Sequence, residues 1–196
     1  MRKLADSDIK DAAVALGVDT AAVRAVTEVE APGGGYYDDG RPKILFERHV
    51  MYRLYKTKFG QAAVDKAAFM YPEICNPKPG GYGPSLDQPI RMESAAKLLD
   101  RDCALQAASW GMFQIMGYHW KDLGYISLQA FVNAMYASEG AQLQAFVAFI
   151  EENPTLHRAL KELAWSTFAQ GYNGPDYAKN KYDTKLATAY RKFQGA

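Results

Sequence analysis

The sequence predicts a mainly α-helical domain with one small β-hairpin. Three observations carry this reading. Apolar residues recur at helical spacing along most of the chain. Glycines, prolines and an Asn-Gly-Pro turn divide those stretches into segments of ordinary helix length. Only one turn, Asp38-Asp39-Gly40, is flanked by short runs that suit strands. The 196 residues, 48% of them hydrophobic, fit a single compact domain spanning the whole chain.

Taken in order, Asp6 or Ser7 can cap a first helix with Ile9, Ala12, Ala13 and Leu16 on one face and Gly17 at its end. Asp19 caps a second helix, in which Val23, Val26 and Glu30 share a stripe. Pro32 and Gly33-Gly34-Gly35 stop it. Tyr36-Tyr37 and Lys43 to Phe46 then pair across the Asp-Asp-Gly turn as the hairpin. A third helix follows from about 47 to 59. Residues 70 to 90, rich in proline and glycine, read as a long loop of the kind that borders binding sites. Helices are expected again at about 92–102, 109–116, 127–137, 139–152, 156–170 and 177–193.

Charge and composition exclude several function classes. With 23 Lys plus Arg against 22 Asp plus Glu, the chain is not built to neutralise many phosphates. The first two helices have the spacing of a helix-turn-helix, but Glu28 and Glu30 would then face phosphate. Nucleic acid is therefore not the expected partner. No run approaches the ~18 apolar residues of a membrane span, and Met1 to Lys10 lacks the apolar core of a signal peptide. Cys75 and Cys103 are too few for a disulfide framework and are expected as free thiols. His49, His119 and His157 show no ligand spacing, so neither a metal nor another cofactor is expected. The thirteen Tyr, nine Phe and three Trp suit a core and also give flat platforms for sugar rings.

Four segments carry candidate chemistry. Breaking a glycosidic bond needs a carboxyl that keeps its proton near the working pH. Glu30 stands where an apolar helix meets a glycine-rich stop, a poorly hydrated place at the negative end of the helix dipole. The alternative for it is a solvated helix-end Glu. Glu47 lies between the apolar run Ile44-Leu45-Phe46 and the basic pair Arg48-His49, either facing a cleft or pairing with Arg48. In Ser109-Trp110-Gly111-Met112-Phe113-Gln114-Ile115-Met116, a lone amide interrupts an apolar stretch and needs polar partners, in the backbone or in a sugar. In Tyr172-Asn173-Gly174-Pro175, an aromatic ring and an amide stand beside a turn.

Together these segments resemble the lysozyme superfamily, which includes goose-type lysozymes and soluble lytic transglycosylases. More closely, the chain is similar to the N-acetylmuramidase domain of phage endolysins over roughly residues 15 to 194. The motifs are Val29-Glu30, Gly40-Arg41-Pro42-Lys43-Ile44-Leu45-Phe46-Glu47-Arg48-His49, Ser109 through Gly117, and Tyr172-Asn173-Gly174-Pro175.

The resemblance implies a lysozyme-like fold and hydrolysis of the β-1,4 bond between N-acetylmuramic acid and N-acetylglucosamine in bacterial peptidoglycan. It makes Glu30 the general acid and Glu47 the second carboxylate. Ser109, Gln114, Tyr172 and Asn173 become substrate-binding residues. It implies a monomeric lysin with no separate wall-binding module, made in the host cytoplasm and released to the wall by a separate pore-forming protein. Relatives often carry Ser after the acid, where this chain has Ala31-Pro32. The competing readings are a lytic transglycosylase, which needs Glu30 alone, and a non-catalytic wall-binding module. If Glu47 acts on water in an inverting reaction, its carboxyl is expected about 6.5–9.5 Å from that of Glu30.

Overall fold

A computed structural model describes residues 3–195. Helix α1 (Asp6–Leu16) ends at Gly17, whose left-handed φ of 63° lets the chain turn back at once. Its cap is Ala5, one residue before the expected Asp6 or Ser7. Helix α2 (Thr20–Glu30) starts on Asp19, whose carboxylate accepts the Ala22 N–H at 2.7 Å. Ala21, Ala22 and Ala25 on its inner face let it pack closely along α11 (Tyr182–Gln194), where Leu186, Ala189 and Tyr190 are buried. The Tyr190 hydroxyl donates to Asp19 at 2.6 Å and pins the two helices together. Helix α1 packs on α8 (Glu139–Glu151). The inner faces of α1 and α2 are thus used for packing.

The sheet differs from expectation. Between residues 36 and 46, the hairpin is reduced to a single bridge, Tyr36 with Pro42. The strand β1 (Ile44–Phe46) instead pairs antiparallel with β2 (Ala108–Trp110), in the register Ile44–Trp110, Leu45–Ser109, Phe46–Ala108. Strand β3 (Ile115–Met116) completes the order β1-β2-β3. The helix expected at 109–116 is therefore a β-hairpin. Gly111 and Gln114 take left-handed φ values of 70° and 51°, which a continuing α-helix cannot accommodate.

Other elements follow the sequence more closely. Helix α3 (Arg48–Phe59) is as expected, and α4 (Gln61–Met70) follows it immediately across Gly60. The span 92–102 divides into α5 (Gln88–Leu98) and α6 (Arg101–Gln106), because Asp100 caps the second by accepting the Cys103 N–H. Ser127 and Ser138 cap α7 (Leu128–Ala137) and α8. The span 156–170 breaks at Leu163, φ 54°, into α9 (Pro154–Lys161) and α10 (Trp165–Asn173).

Trp110, Phe131, Phe146 and Phe168 are fully buried at the centre, each contributing about 1.5–3 kcal/mol by leaving water. Both cysteines are free and buried. Burial pushes the Cys75 thiol up to about 11. Burial, with the neighbouring Asp100, pushes Cys103 up to about 12.

The proline-rich loop after α4 is held by two arginines. Arg48 Nε donates to the Lys78 carbonyl at 3.1 Å. Arg91 donates to the carbonyls of Glu73, at 2.6 Å, and Tyr82, at 2.9 Å. Buried Gln88 joins this loop to the sheet by accepting the Phe46 N–H and donating to the carbonyls of Pro84 and Tyr82.

Candidate active site

Glu30 is the last residue of α2, because Ala31 leaves helical geometry and Pro32 follows. Its carboxylate accepts a 2.9 Å hydrogen bond from Asn173 Nδ2, at the end of α10. Burial pushes the Glu30 pKa above the usual carboxylate range. The Asn173 hydrogen bond and the charge of Lys185 oppose that shift without cancelling it. A raised carboxyl beside open space is what proton donation requires.

Tyr172 forms an apolar wall next to this pair. Its ring stacks on Phe168 and meets Phe146 and Phe149 edge-on. Its hydroxyl donates to the Phe113 carbonyl at 2.8 Å. Burial, reinforced by the charge of Glu30, drives the phenol far above its ordinary range, so it remains a neutral donor.

Glu47 precedes α3 and faces the same space as Glu30. Tyr82 donates its hydroxyl to Glu47 Oε1 at 3.2 Å. His49 Nδ1 lies 3.1 Å from Oε2, with both atoms buried and no aligned hydrogen bond between them among the described residues. The expected alternative, a pair with Arg48, does not form, since that guanidinium is occupied by loop carbonyls.

Gln114 sits at the tip of the β2–β3 hairpin, exposed and in the left-handed region. Its amide is fixed from both ends. Ser109 Oγ donates to its Oε1 at 2.8 Å, and its Nε2 donates to the Gly111 carbonyl at 2.8 Å. Ser109 itself is 5% exposed and does not line the cleft, so its contact with the cleft runs through Gln114.

Two cavities meet at these residues. One, about 650 Å³, is lined by Glu30, Leu45, Glu47, Gln114, Tyr172 and Asn173. The other, about 420 Å³, is lined by Glu30, Tyr37, Lys43, Leu45, Gln88 and Gln114. Glu30, Leu45 and Gln114 line both, so the two cavities adjoin at Glu30. Such a pair suits a polymer that passes the acid on both sides.

Of the six residues singled out in the sequence, Glu30, Glu47, Gln114, Tyr172 and Asn173 converge on the larger cavity, and Ser109 supports it from beneath. Sequence reasoning missed Lys43, Tyr118, His119, Phe149 and Tyr182 as lining residues. Lys43 lies within the Gly40–His49 motif, and Tyr118 and His119 directly follow the Ser109–Gly117 motif. Phe149 and Tyr182 have no local signal, because only the packing of α8 and α11 brings them there. Burial lowers the His119 pKa, against the pull of Asp122.

Among the described residues, no group of three or more His, Cys, Asp or Glu is placed to hold a metal ion. No helix among them is long and apolar enough to cross a membrane.

Comparison with known proteins agrees with this geometry. No curated protein matches the chain. Among solved structures, it is similar to the Burkholderia AP3 phage endolysin, with 47% identity and a TM-score of 0.94. The match covers 100% of this chain and 73% of that one. Residues 19–194 match the N-acetylmuramidase family, which embraces α2 with Glu30, the sheet and α10. The chain therefore belongs to the N-acetylmuramidase family and is a peptidoglycan hydrolase with a lysozyme-like fold.

Proposed function

We propose that the chain hydrolyses the β-1,4 bond between N-acetylmuramic acid and N-acetylglucosamine as a phage lysin, with Glu30 as general acid. The observation that carries this reading is the partly buried Glu30 carboxyl, its pKa raised by burial, where two adjoining cavities meet. Glu30 protonates the leaving oxygen, and Asn173 holds the carboxyl in place through the step. Glu47 accepts a proton from the attacking water, with Tyr82 steadying its carboxylate. With Glu47 acting on water, the product emerges with inverted anomeric configuration. The amide of Gln114, locked by Ser109 and Gly111, is available to an N-acetyl group, and Tyr172 backs the sugar at the acid.

One observation favours this reading over transglycosylation, which needs one carboxyl only. Glu47 lines the same cavity as Glu30 and accepts a hydrogen bond from Tyr82.

Glu30→Gln keeps the shape and removes the proton. Wall-clearing activity of the folded variant should fall about 10²–10⁴-fold. Near wild-type clearing by that variant would end the assignment. Reducing muropeptide ends mark a hydrolase, and 1,6-anhydro ends would establish the transglycosylase instead.

A further inference from the structure

We propose that a groove between α2 and α11, lined by Lys181, Lys185 and Thr184, is a second binding site that takes the acidic stem peptide of peptidoglycan. The inference rests on peptidoglycan being the substrate and on the cleft at Glu30 being where its glycan lies. The groove encloses about 510 Å³, within the ordinary range of ligand sites, roughly 300–1,000 Å³. Its floor is apolar, formed by Val29, Pro32 and Ala189, and its rim carries Thr184, Thr188, Glu28 and the lysines.

Charge decides what it can hold. Lys192 is already paired with Glu28 at 2.6 Å. Among the described residues, Lys181 and Lys185 have no carboxylate partner, although the Lys185 ammonium lies 5.3 Å from the Tyr182 ring centre. Two unpaired cations above an apolar floor suit a ligand with carboxylates on a short aliphatic chain. A stem peptide, with small alanine side chains and several free carboxylates, has that chemistry.

Position decides that the ligand is joined to the glycan. Pro32 lines both this groove and the catalytic groove. Tyr182 faces the catalytic groove one turn before Lys185, and the charge of Lys185 acts on Glu30. A muramic acid held at Glu30 would have its lactyl-linked peptide leaving towards α11.

The test compares two soluble substrates: glycan strands bearing stem peptides, and the same strands stripped by an amidase. The variant is Lys181→Asn/Lys185→Gln, with Asn chosen because residue 181 has φ 54°, which Asn tolerates. Wild-type kcat/KM should favour the stemmed strands. In the variant, the ratio of kcat/KM for stemmed to stripped strands should fall about fivefold, from two exposed charge contacts. Blocking the carboxylates of stemmed strands as methylamides should abolish the wild-type preference.

An equal wild-type rate on both substrates, or an unchanged ratio in the variant, would overturn the proposal. Taking the ratio separates this from any effect of Lys185 on Glu30, which changes both rates alike. Glu30→Gln provides the other control: if it clears both substrates normally, the catalytic reading fails while the lysine ratio still stands or falls separately.

Discussion

Asn173 Nδ2 donates a 2.9 Å hydrogen bond to Glu30 Oε1 across 143 positions of sequence. This bond favours the charged carboxylate, whereas burial favours the protonated form, and burial is the larger effect. Asn173→Ala removes the opposing bond, so the Glu30 pKa should rise further. The alkaline limb of the kcat/KM profile should move to higher pH, with a lower plateau because the carboxyl is no longer held. A limb that stays in place or moves down would show that Glu30 is not the group being titrated.

Glu30 should also cost stability at neutral pH. Its folded pKa lies above the unfolded value of about 4.3, so its contribution is fully present below that value and is lost as pH rises through the folded pKa. Above its folded pKa the native state holds a carboxylate that burial disfavours. Glu30→Gln should therefore melt above the wild type at pH 7, each kcal/mol of relief raising Tm by about 2–4 °C in a domain of this size. The difference should close as pH falls towards 4. Calorimetry at the two pH values checks both parts, and a variant less stable at pH 7 would contradict the burial argument.

Tyr82 belongs to the proline-rich loop, yet its hydroxyl reaches Glu47. Its carbonyl separately anchors the loop through Gln88 and Arg91. Tyr82→Phe removes only the hydroxyl. A hydrogen bond to a charged group contributes about 1.5–3 kcal/mol to stability, so Tm should drop by several degrees, and kcat should fall while KM stays close to wild type because the Glu47 carboxylate loses its orientation. An unchanged kcat would reduce Tyr82 to a loop-packing residue.

Gln142 is 1% exposed and joins three parts of the molecule. Its Oε1 accepts the Met112 N–H at 2.8 Å and its Nε2 donates to the Met135 carbonyl at 2.8 Å. Gly35 and Gly111 crowd against it, so that a Cβ at Gly35 would lie 1.8 Å from its Oε1. Gln142→Leu leaves the buried Met112 N–H unpaired, while the Met135 carbonyl keeps the Tyr36 hydroxyl at 3.1 Å, and should cost roughly 1–3 kcal/mol. Urea unfolding measures it. Gly35→Ala should destabilise too, because the atom it meets is locked by those bonds.

Much of the architecture was legible because its causes are local. The cap at Asp19, the left-handed Gly17 and the stop at Pro32 fix where helices begin and end without reference to distant chain. The placement of Glu30 at a helix end follows from the same local signals. The hairpin error has the opposite cause. Ile44-Leu45-Phe46 has the pattern of a strand, but a strand's partner is a tertiary choice, and Ala108–Trp110 offered a buried register that the Tyr36–Pro42 side did not. The segment 109–116 likewise has helical composition, and only the left-handed backbone at Gly111 and Gln114 turns it into a hairpin.

By itself, the sequence determined the helical class, the family and the residues that carry its motifs, because spacing, capping and motif order are properties of the chain alone. The tertiary structure decided which partners those residues have. It set Asn173 on Glu30, Tyr82 rather than Arg48 on Glu47, Ser109 beneath Gln114, and Lys185 of α11 near Glu30. Each of these contacts joins residues that local sequence patterns cannot pair, because it depends on how the α2–α11 and β1–β2 packings bury their apolar faces.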